Sequence, residues 1–193
     1  MKLWILLILI LGILACNKED DNKTKLELTI LDQHGNPAKD FNVNLFGNVD
    51  DWKIDKPVLQ SGKTNQNGVI TFGNLHNIKY FFRATKGCEN NNLGSVTLAD
   101  PIRTDYTTTV TIRVLETSSL NIVNNSSNKY QVFYNGISQY IMPGNTNKSF
   151  IDLFPVGTIK VRVLQLEGYI LFPTDLSFTI KSTCNSNESV IFP

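Results

Sequence analysis

Apolar residues recur at every second position along much of the chain, and this alternation limits the fold more than any other feature. Leu26, Leu28 and Ile30 alternate with charged and polar residues, which is the period of a half-buried β-strand. No stretch of helical length shows an apolar period of 3.6 residues. The sequence therefore predicts an all-β fold with essentially no long helix.

Turn residues separate the alternating runs. Gly35-Asn36-Pro37, Gly68, Asn135-Gly136 and Pro143-Gly144 each stand between β-rich segments, and glycine permits the positive φ angles of tight turns. Asn-Gly between two such segments is a strong signal for a hairpin. The predicted strands cover residues 25–30, 41–45, 58–64, 69–72, 78–84, 107–115, 120–123, 130–134 and 159–163.

The spacing of turn and apolar residues in the first half resembles a known family. The segments that carry it are Leu28-x-Ile30-x-Asp32-x-x-Gly35-Asn36-Pro37, Phe41-x-Val43-x-Leu45 and Thr64-Asn65-x-x-Gly68-x-Ile70-x-Phe72-x-x-Leu75. Together they resemble the prealbumin-like (carboxypeptidase regulatory-like) β-sandwich over residues 24–115. The resemblance implies that these residues form turns and core, and it supplies no catalytic residue.

A second unit is predicted over residues 119–193, after a boundary at Glu116-Thr117-Ser118. Its order of Tyr130-x-Val132, Asn135-Gly136 and later Gly168-Tyr169 resembles the PEGA-type small β-domains of bacterial surface proteins, with a long insertion before Gly157. The predicted fold is thus two tandem small antiparallel β-sandwich domains.

The two units also share a local pattern. Phe72-x-x-Leu75 precedes an alternating segment that begins at Ile78, and Phe150-x-x-Leu153 precedes one that begins at Ile159. This similarity predicts equivalent hairpins in the two sandwiches.

The N-terminal residues have a different character. Lys2 is followed by an apolar run from Leu3 to Leu14, which is shorter than the ~20 residues that an α-helix needs to cross a bilayer. A short apolar run after a basic residue is typical of a signal peptide. Ile13-Leu14-Ala15-Cys16 resembles the lipobox of bacterial lipoproteins, which implies that residues 1–15 are removed and that Cys16 is acylated. The alternative is an ordinary cleaved signal followed by an incidental cysteine.

The residues behind Cys16 add an expectation about location. Lys18, Glu19, Asp20 and Asp21 resemble the lipoprotein export signal of Bacteroidota, which implies lipid anchoring in the outer membrane with display on its outer face. The alternative is that these charges only keep the protein away from the lipid surface. Residues 16–23 lack an apolar side chain to bury beyond the cysteine, so they are predicted to form a flexible tether.

Composition excludes one class of partner. Lys and Arg number 18 against 17 Asp and Glu, and no block of basic residues occurs. Since nucleic-acid binding depends on a basic patch, no nucleic-acid partner is predicted.

Cysteine and histidine usage bears on redox state, metal and cofactor. Cys88 and Cys184 are an even pair in an oxidising compartment, so they form either a disulfide or two separate buried thiols. No C-x-x-C pair or Cys/His cluster is present, and we predict no metal site and no cofactor. His34 and His76 are the only histidines, and neither stands in a catalytic motif. The sequence therefore predicts a protein that is not an enzyme.

One segment is a candidate for ligand binding. Trp52 stands among Asp50, Asp51 and Asp55, and acids beside an aromatic ring are suited to sugar hydroxyls or to Ca²⁺. The alternative is that Trp52 caps the edge of the sandwich while the acids face water. A further candidate is an aromatic platform of strand tyrosines, which equally suit half-buried packing: Tyr130, Tyr134 and Tyr140.

These features predict a lipid-anchored, surface-displayed protein without catalytic activity. The first functional hypothesis is a structural or accessory subunit of an envelope complex. The second is a glycan-binding module that captures polysaccharide at the cell surface.

Overall fold

The computed structural model describes residues 23–193. Cys16 and the charged residues Lys18, Glu19, Asp20 and Asp21 lie outside the described residues, as does the predicted signal peptide. Within residues 23–193 the regular secondary structure is almost all β-strand, with one short helix. No helix in this range is long and apolar enough to span a membrane. The all-β prediction is confirmed.

The elements follow one another in this order: β1 (Lys25–Leu31), β2 (Asn42–Phe46), α1 (Val49–Ile54), β3 (Gln60–Lys63), β4 (Val69–Phe72), β5 (Phe81–Lys86), β6 (Glu89–Asn90), β7 (Thr107–Arg113), β8 (Leu115–Asn124), β9 (Tyr130–Tyr134), β10 (Ile137–Met142), β11 (Thr146–Pro155), β12 (Gly157–Gln165), β13 (Asp175–Ser182) and β14 (Asn187–Phe192).

The strands β1 to β7 form a sandwich of two sheets. One sheet has the order β4-β1-β7, and the other begins β3-β2-β5-β6. Every second residue of β1 is fully buried, as the alternation predicts. The buried side chains of both sheets form one core: Leu26, Leu28, Ile30, Ala38, Phe41, Val43, Leu45, Ile70, Phe72, Leu75, Tyr80, Phe82, Ala84, Leu98, Ile102, Ile112 and Val114.

The strands β8 to β14 repeat this arrangement around a second core. The strand orders are β11-β8-β14 and β10-β9-β12-β13, and they match those of the first sandwich. Each strand corresponds to the one whose number is lower by seven, so that β8 corresponds to β1 and β14 to β7. The connections β4–β5 and β11–β12 are therefore equivalent, but each crosses from one sheet to the other, so the prediction of hairpins at these two places is wrong. The second core consists of Leu120, Ile122, Tyr130, Val132, Met142, Phe154, Ile159, Val161, Val163, Val190 and Phe192.

Pairing is not purely antiparallel, which corrects the predicted architecture in one respect. β1 runs parallel to β7, and β8 runs parallel to β14. In each sandwich the last strand lies beside the first and has the same direction. All other strand pairs in the described sheets are antiparallel.

The strand β8 belongs to both sandwiches. Its first residues, Leu115 and Glu116, pair with β6 of the first sandwich. From Ser119 onward the same edge of β8 pairs with β14. The predicted boundary at Glu116-Thr117-Ser118 therefore lies inside a continuous strand and not in a linker.

A disulfide joins the two sandwiches where β8 changes partner. Cys88 and Cys184 are bonded, with their Cα atoms 5.4 Å apart. Thr117 N–H donates to Cys88 O at 2.9 Å, and Ser119 N–H donates to Ser186 O at 2.8 Å. The alternative of two separate thiols is therefore not what the structure shows.

The turn residues of the first sandwich hold each other through side-chain hydrogen bonds. Asp32 Oδ1 accepts from the N–H groups of His34 and Asn36, both at 2.8 Å. Asn65 Oδ1 accepts from those of Asn67 and Val69 at 2.9 and 3.0 Å. Aspartate and asparagine thus close two turns by replacing backbone acceptors.

Gly68 lies where these two turns meet. Its φ is +72°, and a Cβ there would stand 2.4 Å from Ile30 O and 2.9 Å from Ala38 N. Both neighbours are backbone atoms, which do not give way as a flexible side chain would. Only glycine fits this position.

Several strand limits differ from those predicted. The segment 58–64 narrows to β3 (Gln60–Lys63), because Lys56-Pro57 and the residues after it form a connection from α1. The segment 78–84 moves to β5 (Phe81–Lys86), since Tyr80 packs in the core and its hydroxyl accepts from His76 N–H at 2.9 Å.

We predict that removing the disulfide lowers the free energy of unfolding by about 4 kcal/mol, because the bond closes a loop of 96 residues in the unfolded chain. Urea unfolding of the protein with and without reductant measures this change. A Cys88→Ala/Cys184→Ala variant is the control and should unfold at the same urea concentration in both conditions. Equal midpoints for the unmodified protein in the two conditions would contradict the prediction.

Candidate functional site

The segment around Trp52 is a short helix of six residues and not the predicted loop. Asn48 caps its N-terminus, because its side-chain oxygen accepts from Asp51 N–H at 2.9 Å. The helix ends at Asp55, which has a left-handed φ of 59°. Three of the four candidate ligand residues therefore lie on α1, and Asp55 terminates it.

Trp52 is held against β5 by three contacts. Its ring N–H donates to Phe82 O at 3.2 Å, and its own carbonyl accepts from Arg83 Nη2 at 2.7 Å. The Arg83 guanidinium lies 5.0 Å from the centre of the indole ring, within the range of a cation–π interaction. These are the contacts of a residue that packs on the sandwich, and Trp52 remains half-buried.

The three acids beside Trp52 face different partners. Asp50 pairs with Lys53 at 3.2 Å, and Asp55 pairs with Arg83 at 3.2 Å. Asp51 Oδ2 accepts from the Asn48 side chain at 2.7 Å. Between residues 23 and 193 no three His, Cys, Asp or Glu side chains are placed to hold a metal ion together.

Trp52 lines a cleft of about 360 Å³ between the two sandwiches. The first sandwich contributes Trp52, Lys53, Arg83 and Asn92, and the opposite wall is formed by three residues of β11: Ser149, Ile151 and Leu153. A register irregularity between Phe150 and Phe154 interrupts the regular pairing of this part of β11 with β8. Sequence reasoning missed this wall, because an alternating pattern does not reveal where a strand bulges.

Asn92 connects the two sides of this cleft. Its side-chain N–H donates to Asp152 O at 3.4 Å, while its side-chain oxygen is buried and has no hydrogen-bond partner. A buried polar atom without a partner is uncommon in native proteins. The cleft therefore combines an aromatic ring, two cationic side chains and an unused acceptor.

The second notable surface is the loop between β12 and β13, which we call the apolar tip (residues 169–172). Ile170, Leu171 and Phe172 expose 98%, 81% and 84% of their surface, and Tyr169 exposes 48%. Single exposed apolar residues are ordinary, but a contiguous group marks an interaction site in a soluble protein. The sequence shows this run between Gly168 and Pro173, but its exposure depends on the hairpin around it.

The base of the apolar tip is fixed by a buried amide. Gln165 is 7% exposed, and its side chain donates to Glu167 O at 2.8 Å and accepts from Thr174 N–H at 3.1 Å. Lys129 also pairs with Glu167 at 3.3 Å. The polar base therefore holds the loop in place while its apolar side chains project into water.

The tyrosines predicted as a possible platform pack inside the second sandwich. Tyr130 is 2% exposed and its ring centre lies 4.8 Å from that of Phe192. Tyr134 and Tyr140 contact Phe154 and Phe150 at 4.8 and 5.8 Å. The packing alternative is therefore the one that the structure shows.

Three carboxylates have altered pKa values, and each shift has a local cause. Burial, and then the Glu116 carboxylate opposite it on β8, raise the pKa of Glu89. A hydrogen bond from the Asn36 backbone lowers the pKa of Asp32, and hydrogen bonds from Arg162 lower that of Asp175. His34 is exposed in its turn and His76 is exposed before β5. These groups form no arrangement of nucleophile and base among the described residues.

Comparisons with known proteins give structural neighbours of low similarity. No protein-family model matches the chain, and no curated protein matches it. A streptococcal ancillary pilin superposes over 85% of this chain and 62% of its own, with 13% sequence identity and a TM-score of 0.39. The chain thus spans less than two thirds of that pilin.

Two further structures align over most of both chains. The shaft pilin SpaA of Lactobacillus rhamnosus GG, as a D295N mutant, covers 86% of this chain and 96% of its own, with 14% identity and a TM-score of 0.35. A candidate carbohydrate-binding protein of Bacteroides uniformis covers 83% and 99%, with 9% identity and a TM-score of 0.35.

Proposed function

We propose that this protein is a non-catalytic, lipid-anchored structural or accessory subunit of a bacterial envelope complex, displayed on the outer face of the outer membrane. Anchoring and display rest on the resemblance of Ile13-Leu14-Ala15-Cys16 to a lipobox and of Lys18-Glu19-Asp20-Asp21 to an export signal. Two or three acyl chains provide a durable anchor, since one chain alone binds only marginally.

The observation that carries the role of a subunit is the apolar tip at the end of a connected pair of sandwiches. β1 begins at Lys25, close to the predicted tether, and β7 runs parallel to it. β7 leads through Val114 into β8, whose last residue, Asn124, donates to Asn128 O at 2.8 Å. Asn128 contacts Gly168 at the base of the tip. Lys25 therefore lies beside the start of β7, and the tip lies beside the end of β8.

This arrangement suits a protein that holds a partner away from its own membrane. The disulfide and the shared strand β8 restrict movement of one sandwich against the other, so the tip is presented at a defined distance from Lys25. The tip has no charged residue between Gly168 and Thr174, so it is suited to an apolar pocket on a protein partner.

Lipidation and export make separable predictions. We expect the Cys16→Ser variant to lose incorporation of an alkyne-labelled palmitate and to leave the membrane fraction. The variant with alanine at Lys18, Glu19, Asp20 and Asp21 should keep the label but become protected from protease added to intact cells. A labelled Cys16→Ser protein would refute the anchor, and unchanged protease access in the alanine variant would refute the export signal.

The role of the tip is tested by photo-crosslinking in cells. A photoreactive amino acid at Ile170 of the full chain should capture one envelope protein in stoichiometric amount, because that side chain is 98% exposed at the predicted contact. The control carries the same group at Ile191, which is 58% exposed on β14, and should not capture that protein. Failure to capture a protein at the tip, or identical products at both positions, would overturn the proposal. Adducts with lipid alone would also overturn it.

The second candidate function is glycan binding, and the cleft at Trp52 is the observation that favours it. An indole beside the Asn92 amide and the Ser149 hydroxyl combines a surface for stacking with groups for hydrogen bonding. For this function, Trp52→Ala should abolish retardation in gels that contain xylan, starch or chondroitin sulfate, while Trp52→Phe should keep part of it. Absence of retardation for the unmodified protein in every gel would reject glycan binding to these polymers.

A further inference from the structure

The second sandwich contains a cavity that the proposed function does not use. Its volume is about 310 Å³, and it opens between the edge strands β10 and β11. An apolar cavity of ~150 Å³ in another protein binds benzene. The cavity in this protein therefore has room for a ligand with about two fused aromatic rings. Its lining reaches from the core residues Leu120, Ile122, Val132 and Val161 to the side chains of Gln139, Lys148 and Leu153 near the surface.

Aromatic rings form one side of this cavity. Tyr134 contacts Phe154 at 4.8 Å, Phe154 contacts Phe150 at 5.7 Å, and Phe150 contacts Tyr140 at 5.8 Å between ring centres. All four side chains line the cavity. Aromatic side chains favour offset or edge-to-face contact with further rings, so a flat aromatic ligand would extend this series.

One polar atom at the cavity has no partner. The Tyr140 hydroxyl is buried and makes no hydrogen bond. Buried hydroxyl groups are nearly always paired with protein or ordered water. The unpaired Tyr140 hydroxyl is therefore a candidate to bond to a ligand. Burial also raises the pKa of Tyr140 to about 12, so the hydroxyl keeps its proton at neutral pH and can donate.

A cation lies over the ring that carries this hydroxyl. Lys148 Nζ lies 4.1 Å from the centre of the Tyr140 ring and 5.3 Å from that of Phe150. No carboxylate pairs with Lys148 among the described ion pairs. The ammonium is therefore available, like the hydroxyl, to donate to an anionic group.

From these observations we propose that the cavity between β10 and β11 binds an aromatic monocarboxylate. The ring system lies among Tyr134, Phe150 and Phe154, and the carboxylate accepts from the Tyr140 hydroxyl and Lys148. Leu153, which lines the cavity, belongs to the three residues of β11 that leave the register with β8. This site is separate from the apolar tip and from the Trp52 cleft, although Leu153 borders both the cavity and that cleft.

Isothermal titration with 2-naphthoate tests this proposal. The full chain is carried in phosphatidylcholine nanodiscs, and empty nanodiscs provide the blank. We expect saturable binding at one site per chain. The uncharged analogue 2-naphthylmethanol should bind about tenfold more weakly, because it lacks the charge that the Lys148 ammonium recognises.

Variants test the two polar contacts separately from access to the apolar cavity. Lys148→Met should weaken 2-naphthoate binding about tenfold while retaining the length of the side chain, and Tyr140→Phe should weaken it by a similar factor. Leu153→Trp should block the entrance and abolish binding. Lys160→Met is the matched control, because Lys160 is an exposed lysine on β12 that does not line the cavity.

Three results would overturn the proposal. The first is absence of saturable binding to the unmodified chain, and the second is equal affinity for the acid and the alcohol. The third is an affinity that Lys148→Met and Tyr140→Phe leave unchanged while their thermal unfolding matches that of the Lys160→Met control. None of these results bears on the partner captured at the apolar tip.

Discussion

The backbone ladder of β8 is the interaction on which the rest of the structure depends. Its antiparallel partner β11 covers one edge from Thr117 to Asn124, while β6 and β14 divide the other edge between them. A single strand thus supplies hydrogen bonds to both sandwiches. Each core is closed by side chains of its own strands, but neither sheet system is complete without this strand. The cleft at Trp52 is lined by residues of both sandwiches, which this strand holds together.

Buried amides complete the ladders where strands end or diverge. Asn91 Oδ1 accepts from Ala84 N–H at 2.8 Å, and its side-chain N–H group donates to Ser95 O at 2.8 Å. Asn90 donates to the Thr117 hydroxyl at 2.6 Å, beside the disulfide. Asn124 donates to two carbonyls at the end of β8. The asparagine side chain carries both a donor and an acceptor, so it can bond to a backbone N–H or C=O group that has no partner on a neighbouring strand. These residues are structural in this fold and not merely part of a polar surface.

The sequence predicts the class of fold and its two units well, because alternation and turn chemistry are local properties. Asp32, Asn65 and Gly68 have their roles within a few residues of themselves, and the turns follow from them. The shared strand, the bulge and the apolar tip depend on contacts between distant segments. Nothing near Leu153 shows that it lines both a cleft and a cavity, and nothing near Trp52 shows that Arg83 will cover it. The sequence does not predict the short helix after Asn48, because six residues are too few for an apolar period of 3.6 residues to appear.

The position of the disulfide has a mechanical consequence. If the protein is pulled between its N-terminus and a partner held at the tip, the tension can pass through the disulfide bond and bypass much of the chain. The covalent path that bears the force runs from residue 23 to Cys88, crosses the disulfide to Cys184 and returns along β13 to Phe172. The chain between Glu89 and Gly168, which includes β8 and most of the second core, lies outside this taut path. An intact bond would thus let the molecule bear a load while the strand that unites its two sandwiches stays slack.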